Sequence, residues 1–221
     1  TYSESYDKLW LSPGAEPVRP RLLGIESPRV FGLRNIPDLD RIMQHLNETQ
    51  PRRAVVIGGG FIGIEVAENL HERGLFVTLV EGADQILAPF DPEMAAIVHA
   101  HMREKHVELY LSAKVERFED KADNTVVYLH NGKRLQADIV ILAIGVRPET
   151  TLARAAGLEV GSTGGIRVDE FLQTTDPAIF AVGDAAEVTQ TISGKPALIP
   201  LAGPANRQGR IAADNMLKGP I

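Results

Sequence analysis

The sequence predicts an α/β fold, and three observations carry that prediction. Apolar runs at Ala54 to Ile57, Val77 to Val80 and Asp138 to Ile144 read as short strands buried on both faces. A glycine-rich turn, Gly58-Gly59-Gly60-Phe61-Ile62-Gly63, separates the first strand from a helix-compatible run reaching about Arg73. An acid, Glu81, closes the second strand 18 residues after Gly63. Strand, glycine turn, helix, strand and acid together read as a Rossmann-like unit.

Each glycine of the turn has a physical reason. Gly58 lets the chain leave the strand in a tight turn. Gly60 has no Cβ, so a pyrophosphate can approach the backbone. Gly63 lets the helix pack closely on the strand. The first turn of that helix offers unpaired N–H groups and the positive end of its dipole to phosphate. Glu81 is placed to accept hydrogen bonds from an adenosine ribose. Gly82, Ala83 and Asp84 offer no cation for a 2′-phosphate, which favours NAD(H) over NADP(H). The bland alternative is a strand–turn–helix packed tightly for its own sake, with Glu81 as a solvated strand end.

The rest of the chain follows in order. Tyr6 to Leu11 reads as a strand ending in a turn at Ser12-Pro13-Gly14-Ala15, and Pro17, Pro20, Gly24 and Pro28 then break regular structure to about Val30. Arg34 to Leu46 reads as a helix, with Pro37 near its start and Leu39, Ile42, Met43 and Leu46 at helical spacing. A domain crossing is expected at about 47–52. The helix after the glycine turn ends at Gly74. Gly82 to Phe90 reads as a loop, and Asp91-Pro92-Glu93 opens a helix running to about Lys105 with Asp91 as the capping acid. Val107 to Leu111 is a further strand. Val115 to Phe118, Val126 to His130 and Arg134 to Gln136 read as an antiparallel meander, its last two strands joined by Asn131-Gly132. Ala153 to Gly157 is a short helix and its cap. Gly164 to Val168 is turn then strand, and Asn206 to Leu217 is a helix.

Composition narrows the function. The chain has 221 residues, enough for a sizeable core, and 44% of them are apolar. A net charge of −6 gives no reason to expect nucleic acid or an anionic membrane surface. There is no bilayer-length apolar run and no signal-peptide pattern at the start, so a cytoplasmic protein is the expectation. The absence of cysteine excludes disulfides, thiolate metal sites and a cysteine nucleophile within these residues. His99 and His101 face different sides of a helix, so no metal face forms and no metal is expected. Ser162 and Ser193 lack a positioned His–Asp context for hydrolase chemistry.

A second motif is more specific than the glycine turn. Thr174-Thr175-Asp176-Pro177-Ala178-Ile179-Phe180-Ala181-Val182-Gly183-Asp184-Ala185 gives a buried strand, a glycine permitting close approach and a carboxylate at the strand's C-terminal end. This segment resembles the pyridine nucleotide–disulfide oxidoreductase family, and the resemblance implies that Asp184 hydrogen-bonds the ribityl chain of FAD. Ile141 to Pro148 resembles the strand and Gly145 turn closing the family's NAD domain. Tyr6 to Gly14, with Pro13 and Gly14, resembles the equivalent crossing in the FAD domain. Leu33 to Asp38 and Pro200 to Gly209 resemble the branch of coenzyme A-disulfide reductases, NADH oxidases and NADH-dependent persulfide reductases.

The resemblance implies partial FAD-binding segments at 1–50 and 149–221 flanking an NAD(H)-binding domain at 51–148, three-layered with a β-meander. It also implies hydride transfer from NADH to flavin, with electrons passing on to a coenzyme A-linked or other disulfide, a persulfide or oxygen, in a homodimeric parent. The family's first glycine fingerprint and redox cysteine do not occur in these residues, so the chain reads as an internal piece, inactive alone. A non-catalytic NAD-binding module or redox sensor on the same scaffold is the alternative. Roles carried over by resemblance stay double at four places. Glu65 and Phe61 lie near the nicotinamide–flavin junction, or are a dipole-stabilised acid and a hydrophobic plug. Ala202, with Gly203, lies against the flavin, or is a plain helix-entry loop. Arg147 contacts a cofactor or caps a carbonyl.

Overall fold

The computed structural model describes residues 2–219. Contacts divide the chain into two compact units: one holds the residues up to Glu16 and those from Val146 onward, the other is the continuous stretch Pro17–Gly145. The chain begins in the first unit with β1 (Leu9–Leu11) and β2 (Ala15–Pro17), then crosses into the second.

The second unit opens with β3 (Val30–Gly32) and α1 (Ile36–Thr49). Asn35 caps α1 by accepting from the Asp38 N–H at 3.0 Å, while Asp38 returns the bond to the Asn35 N–H, a reciprocal box that fixes the helix start. Then come β4 (Arg53–Ile57), α2 (Phe61–Glu72), β5 (Phe76–Val80), α3 (Pro92–Glu104) and β6 (Glu108–Tyr110). The meander is β7 (Val115–Asp120), β8 (Thr125–Leu129) and β9 (Arg134–Ala137), and β10 (Ile139–Leu142) closes the unit.

Five parallel strands form one sheet in the order β3-β10-β4-β5-β6. Strand alternation sorts its side chains to two faces. Ala54 and Val56 of β4, Val77 and Leu79 of β5, and Ile139 and Ile141 of β10 pack with Ile42, Ala67, Leu70 and Met102 of the helices. Val55, Ile57, Val80, Val140 and Leu142 pack with Phe118, Val127, Leu129 and Leu135 of the meander. Helices, parallel sheet and meander are therefore three layers, with the sheet buried on both faces.

The first unit resumes with β11 (Val146–Pro148), beside β2, then α4 (Thr151–Ala155), β12 (Ile166–Arg167), β13 (Ile179–Ala181), a 3₁₀ turn at Gly183–Ala185, β14 (Ala186–Thr189), β15 (Pro196–Ala197) and α5 (Ala202–Lys218). Its core joins Ile166, Ile179, Phe180, Ala181 and Val182 to Ala212 of α5. β1 pairs in parallel with β13, Leu9 opposite Ile179 and Leu11 opposite Ala181.

The compact unit takes in Pro17–Gly145, because β3 completes the sheet beside β10 and Leu23 bridges to Arg117 of the meander. Two expectations are corrected. α5 begins at Ala202, so Ala202 and Gly203 are its first turn and not an entry loop; Pro204 is tolerated there because the first-turn N–H has no partner to lose. Asp91 stands at the N-cap of α3 but its side chain makes no capping bond.

Candidate functional site

The corner after β4 is held together by backbone. Gly58 donates to the Val80 carbonyl at 2.8 Å, tying the turn to the end of β5. Its φ of +111° is reached without strain only by glycine, and a Cβ there would sit 2.2 Å from the Ala143 carbonyl oxygen. A Cβ on Gly63 would meet the Gly58 oxygen at 1.9 Å, so α2 lies directly against the turn. Gly60 is different: it is exposed, and no atom lies within 4 Å of where its Cβ would be. It is the N-cap of α2 and supplies no side-chain capping bond to the first-turn N–H groups. The bare backbone and the open helix start fit a dinucleotide pyrophosphate.

Glu81 is half-buried and clamped from both sides. Its Oε2 accepts from the Gly59 N–H at 2.6 Å and its Oε1 from the Ala83 N–H at 2.7 Å. Gly58, Gly59, Gly63 and Glu81 are thus brought into one corner. Gly145 is exposed with φ +109°, two residues beyond Ala143, whose N–H donates to the Ile57 carbonyl at 2.7 Å. Phe61, Ile62 and Glu65 are exposed on the first turns of α2. Phe61 meets Phe90 edge to face, with ring centroids 6.1 Å apart.

Sequence reasoning missed the second wall of this corner. The loop after Glu81 folds back, so that the Leu87 N–H donates to the Gly59 carbonyl at 2.8 Å and Ile86, fully buried, lies where any Gly59 side chain would go, 2.7 Å from its ideal Cβ. His99 of α3 anchors that loop: its Nε2 accepts from the Ile86 N–H at 3.1 Å. His99 is half-buried and its position is structural. Burial, and then the nearby Arg103 charge, hold its proton affinity below the usual histidine range. No sequence period carries this signal, because the partners meet only when α3 docks. Among the described residues no group of three His, Asp or Glu side chains is poised to hold a metal.

The first unit has its own corner. Parallel pairing of β1 with β13 brings Pro13–Gly14 and Gly183–Asp184 to the same strand ends, where the Val182 N–H donates to the Leu11 carbonyl at 3.1 Å. Gly183 has φ +74°; its N–H donates to Gln208 Oε1 of α5 at 2.7 Å, and its Cβ position is 3.7 Å from Ala205 Cβ. The first turns of α5 therefore pack at this corner through Ala205 and Gln208, while Ala202, the first residue of the helix, is exposed. Asp184 is half-buried, and among the described residues its carboxylate accepts no hydrogen bond. An acid left free at a strand end fits a ligand hydroxyl such as those of a ribityl chain. Arg147 is exposed just past the chain crossing.

A family model described as pyridine nucleotide-disulphide oxidoreductase matches residues 1–209. The chain is similar to an "NADH oxidase" of Methanocaldococcus jannaschii, 39% identical over 97% of this chain and 48% of that protein. It is also similar to a "NAD(P)H sulfur oxidoreductase (CoA-dependent)" of Pyrococcus abyssi, 34% identical over 97% of this chain and 48% of that protein. Among solved structures, reduced Bacillus anthracis CoADR-RHD matches with a TM-score of 0.94 at 52% identity, covering 99% of this chain and 39% of that one. The chain spans about half the length of the curated relatives it matches.

Proposed function

The chain belongs to the pyridine nucleotide-disulphide oxidoreductase family, and from that premise we propose that it carries the NAD(H)-binding unit and part of the FAD-binding unit of an NADH-oxidising flavoenzyme. The observation that carries the reading is the corner at Gly58–Gly63, where one glycine is open to a ligand while its neighbours are packed shut, with Glu81 locked beside it.

In this reading the bare backbone at Gly60 and the first N–H groups of α2 hold the pyrophosphate. Glu81 uses its remaining lone pairs for the adenosine ribose. Phe61 and Glu65, one turn apart on α2, face the nicotinamide end of the nucleotide, and Gly145 permits close approach of backbone to it. In the other unit Asp184 receives the ribityl hydroxyls of FAD, while Pro13, Gly14, Gly183 and Ala202 line that corner. FAD, when bound, supplies the ring that accepts hydride; the protein contributes position and electrostatics. The electron acceptor is a coenzyme A-linked disulfide or persulfide, or oxygen; relatives named "Coenzyme A disulfide reductase", "NAD(P)H coenzyme A polysulfide/persulfide reductase" and "NADH oxidase" support that range. These 221 residues hold no thiol, so no step of disulfide exchange is assigned to them.

The test is NADH oxidation by the purified full-length, flavin-loaded protein, comparing coenzyme A disulfide, a persulfide and oxygen. Turnover with at least one acceptor is the expected result. No NADH consumption with any of the three overturns the reading.

A further inference from the structure

Resting on the reading of Gly58–Glu81 as an adenosine site, we propose that Lys114 is the cation that receives a 2′-phosphate there, so that the chain binds NADPH alongside NADH. The three residues after Glu81 carry no positive charge. The fold supplies one from the connection between β6 and β7. Residues 112–114 run beside 81–83: the Ser112 N–H donates to the Ala83 carbonyl at 2.7 Å, and the Ala113 N–H to the Glu81 carbonyl at 2.9 Å. Lys114 is the next residue. Its stem lies along Gly82, with Cγ 3.5 Å and Cε 3.9 Å from the position of a Cβ on that glycine. The ammonium is one bond beyond, next to the residue that follows the ribose acid.

Three further observations make this lysine suited to the role. Its backbone is fixed, since its carbonyl accepts from the His130 N–H at 2.9 Å and its N–H donates to His130 Nδ1 at 3.4 Å. Its ammonium has no acid partner among the described residues, whereas nearby Lys133 sits 4.0 Å over the Tyr110 ring. The acid that would repel a 2′-phosphate, Glu81, spends both oxygens on backbone N–H groups, which offset its charge and turn it toward the glycine turn. Asp84, exposed, is the other acid of that loop, and His130 is the remaining titratable group beside Lys114. A phosphate monoester carries nearly two charges at neutral pH and pairs well with a lysine point charge. NADH lacks that group and gains nothing from Lys114.

Calorimetric titration of the full chain with ADP-ribose and with 2′-phospho-ADP-ribose tests this without any redox step. Both ligands are expected to bind. Lys114→Gln is expected to weaken the phosphorylated ligand about tenfold, the scale of one charged hydrogen bond, and to leave ADP-ribose within about twofold, with Lys114→Arg restoring the difference. The phosphorylated ligand's affinity also falls more steeply with salt in the unmodified chain than in the glutamine variant. Equal loss for both ligands, no loss for either, or rejection of 2′-phospho-ADP-ribose by the unmodified chain overturns the role of Lys114. Failure to bind even ADP-ribose removes the nucleotide site itself, and this proposal with it.

Discussion

The two corners of the molecule use the same vocabulary, a strand end, a positive-φ glycine and a carboxylate, but spend it differently. At Gly58–Glu81 the acid is bound by its own corner: two backbone N–H groups hold Glu81, and Gly58 is enclosed by Ala143. At Gly183–Asp184 the glycine is held by a distant side chain, Gln208, and among the described residues the Asp184 carboxylate accepts no hydrogen bond. The first corner is held by local backbone, so its acid shapes the loop. In the second, the scaffold is set by α5 packing and the acid takes no part in it. On the proposed function, stability and ligand affinity are coupled in the first corner and separable in the second.

The sharpest way to break this contrast is a pair of glycine substitutions. Gly58→Ala adds left-handed strain and a backbone clash and is expected to lower stability by about 3 kcal/mol or more. Gly183→Ala meets only ordinary contact at 3.7 Å and is expected to lose about 1 kcal/mol from its φ alone. Chemical denaturation of the two variants measures both, and equal losses would remove the distinction.

The acids come next. Glu81→Ala strands the Gly59 and Ala83 N–H groups, for an expected loss of about 1–3 kcal/mol together with weaker NADH binding. Asp184→Ala is expected to leave unfolding within about 0.5 kcal/mol while reducing FAD retention. Thermal melts with parallel ligand titrations separate the two outcomes; a large melt shift for Asp184→Ala contradicts the reading of that corner.

The smallest effect concerns the loop that backs Gly59. His99 must be neutral at Nε2 to accept from Ile86, and its proton affinity is lowered by burial and by Arg103. The unfolded chain therefore takes up that proton first as pH falls. The contribution of His99 is complete above about pH 6.5, the unfolded value, and fades as pH drops toward the lower folded value. His99→Gln is expected to flatten the pH dependence of stability in that window, by about 1 kcal/mol at most, the scale of the single hydrogen bond it disturbs. An unchanged slope between pH 7 and 5 would show that the anchor carries no titration.

What could be read from the chain was what is contiguous in it. Strand, glycine turn, helix and acid lie within 29 residues, from Arg53 to Glu81, and each constraint acts on a neighbour, so the strand–turn–helix corner, the meander and a helix expected at 34–46 and found at Ile36–Thr49 followed from pattern. The boundary at Pro17 did not, because it depends on Val30–Gly32 pairing with strand residues 110 positions later, and a three-residue strand after Pro28 has no period to detect. Leu87, His99 and Lys114 were invisible for the same reason: each reaches the corner through tertiary docking. The start of the last helix at Ala202 was obscured by Pro204, which breaks a helix interior yet is harmless in a first turn.

The parallel pairing of Leu9 with Ile179 has a consequence for biosynthesis. A ribosome adding about 5–20 residues per second leaves Leu9 waiting roughly ten to thirty seconds for its neighbour to emerge. Pro17–Gly145, an unbroken stretch, is out of the tunnel well before then. The continuous unit is thus positioned to mature first, and the two-segment unit completes its strand pairing only after that.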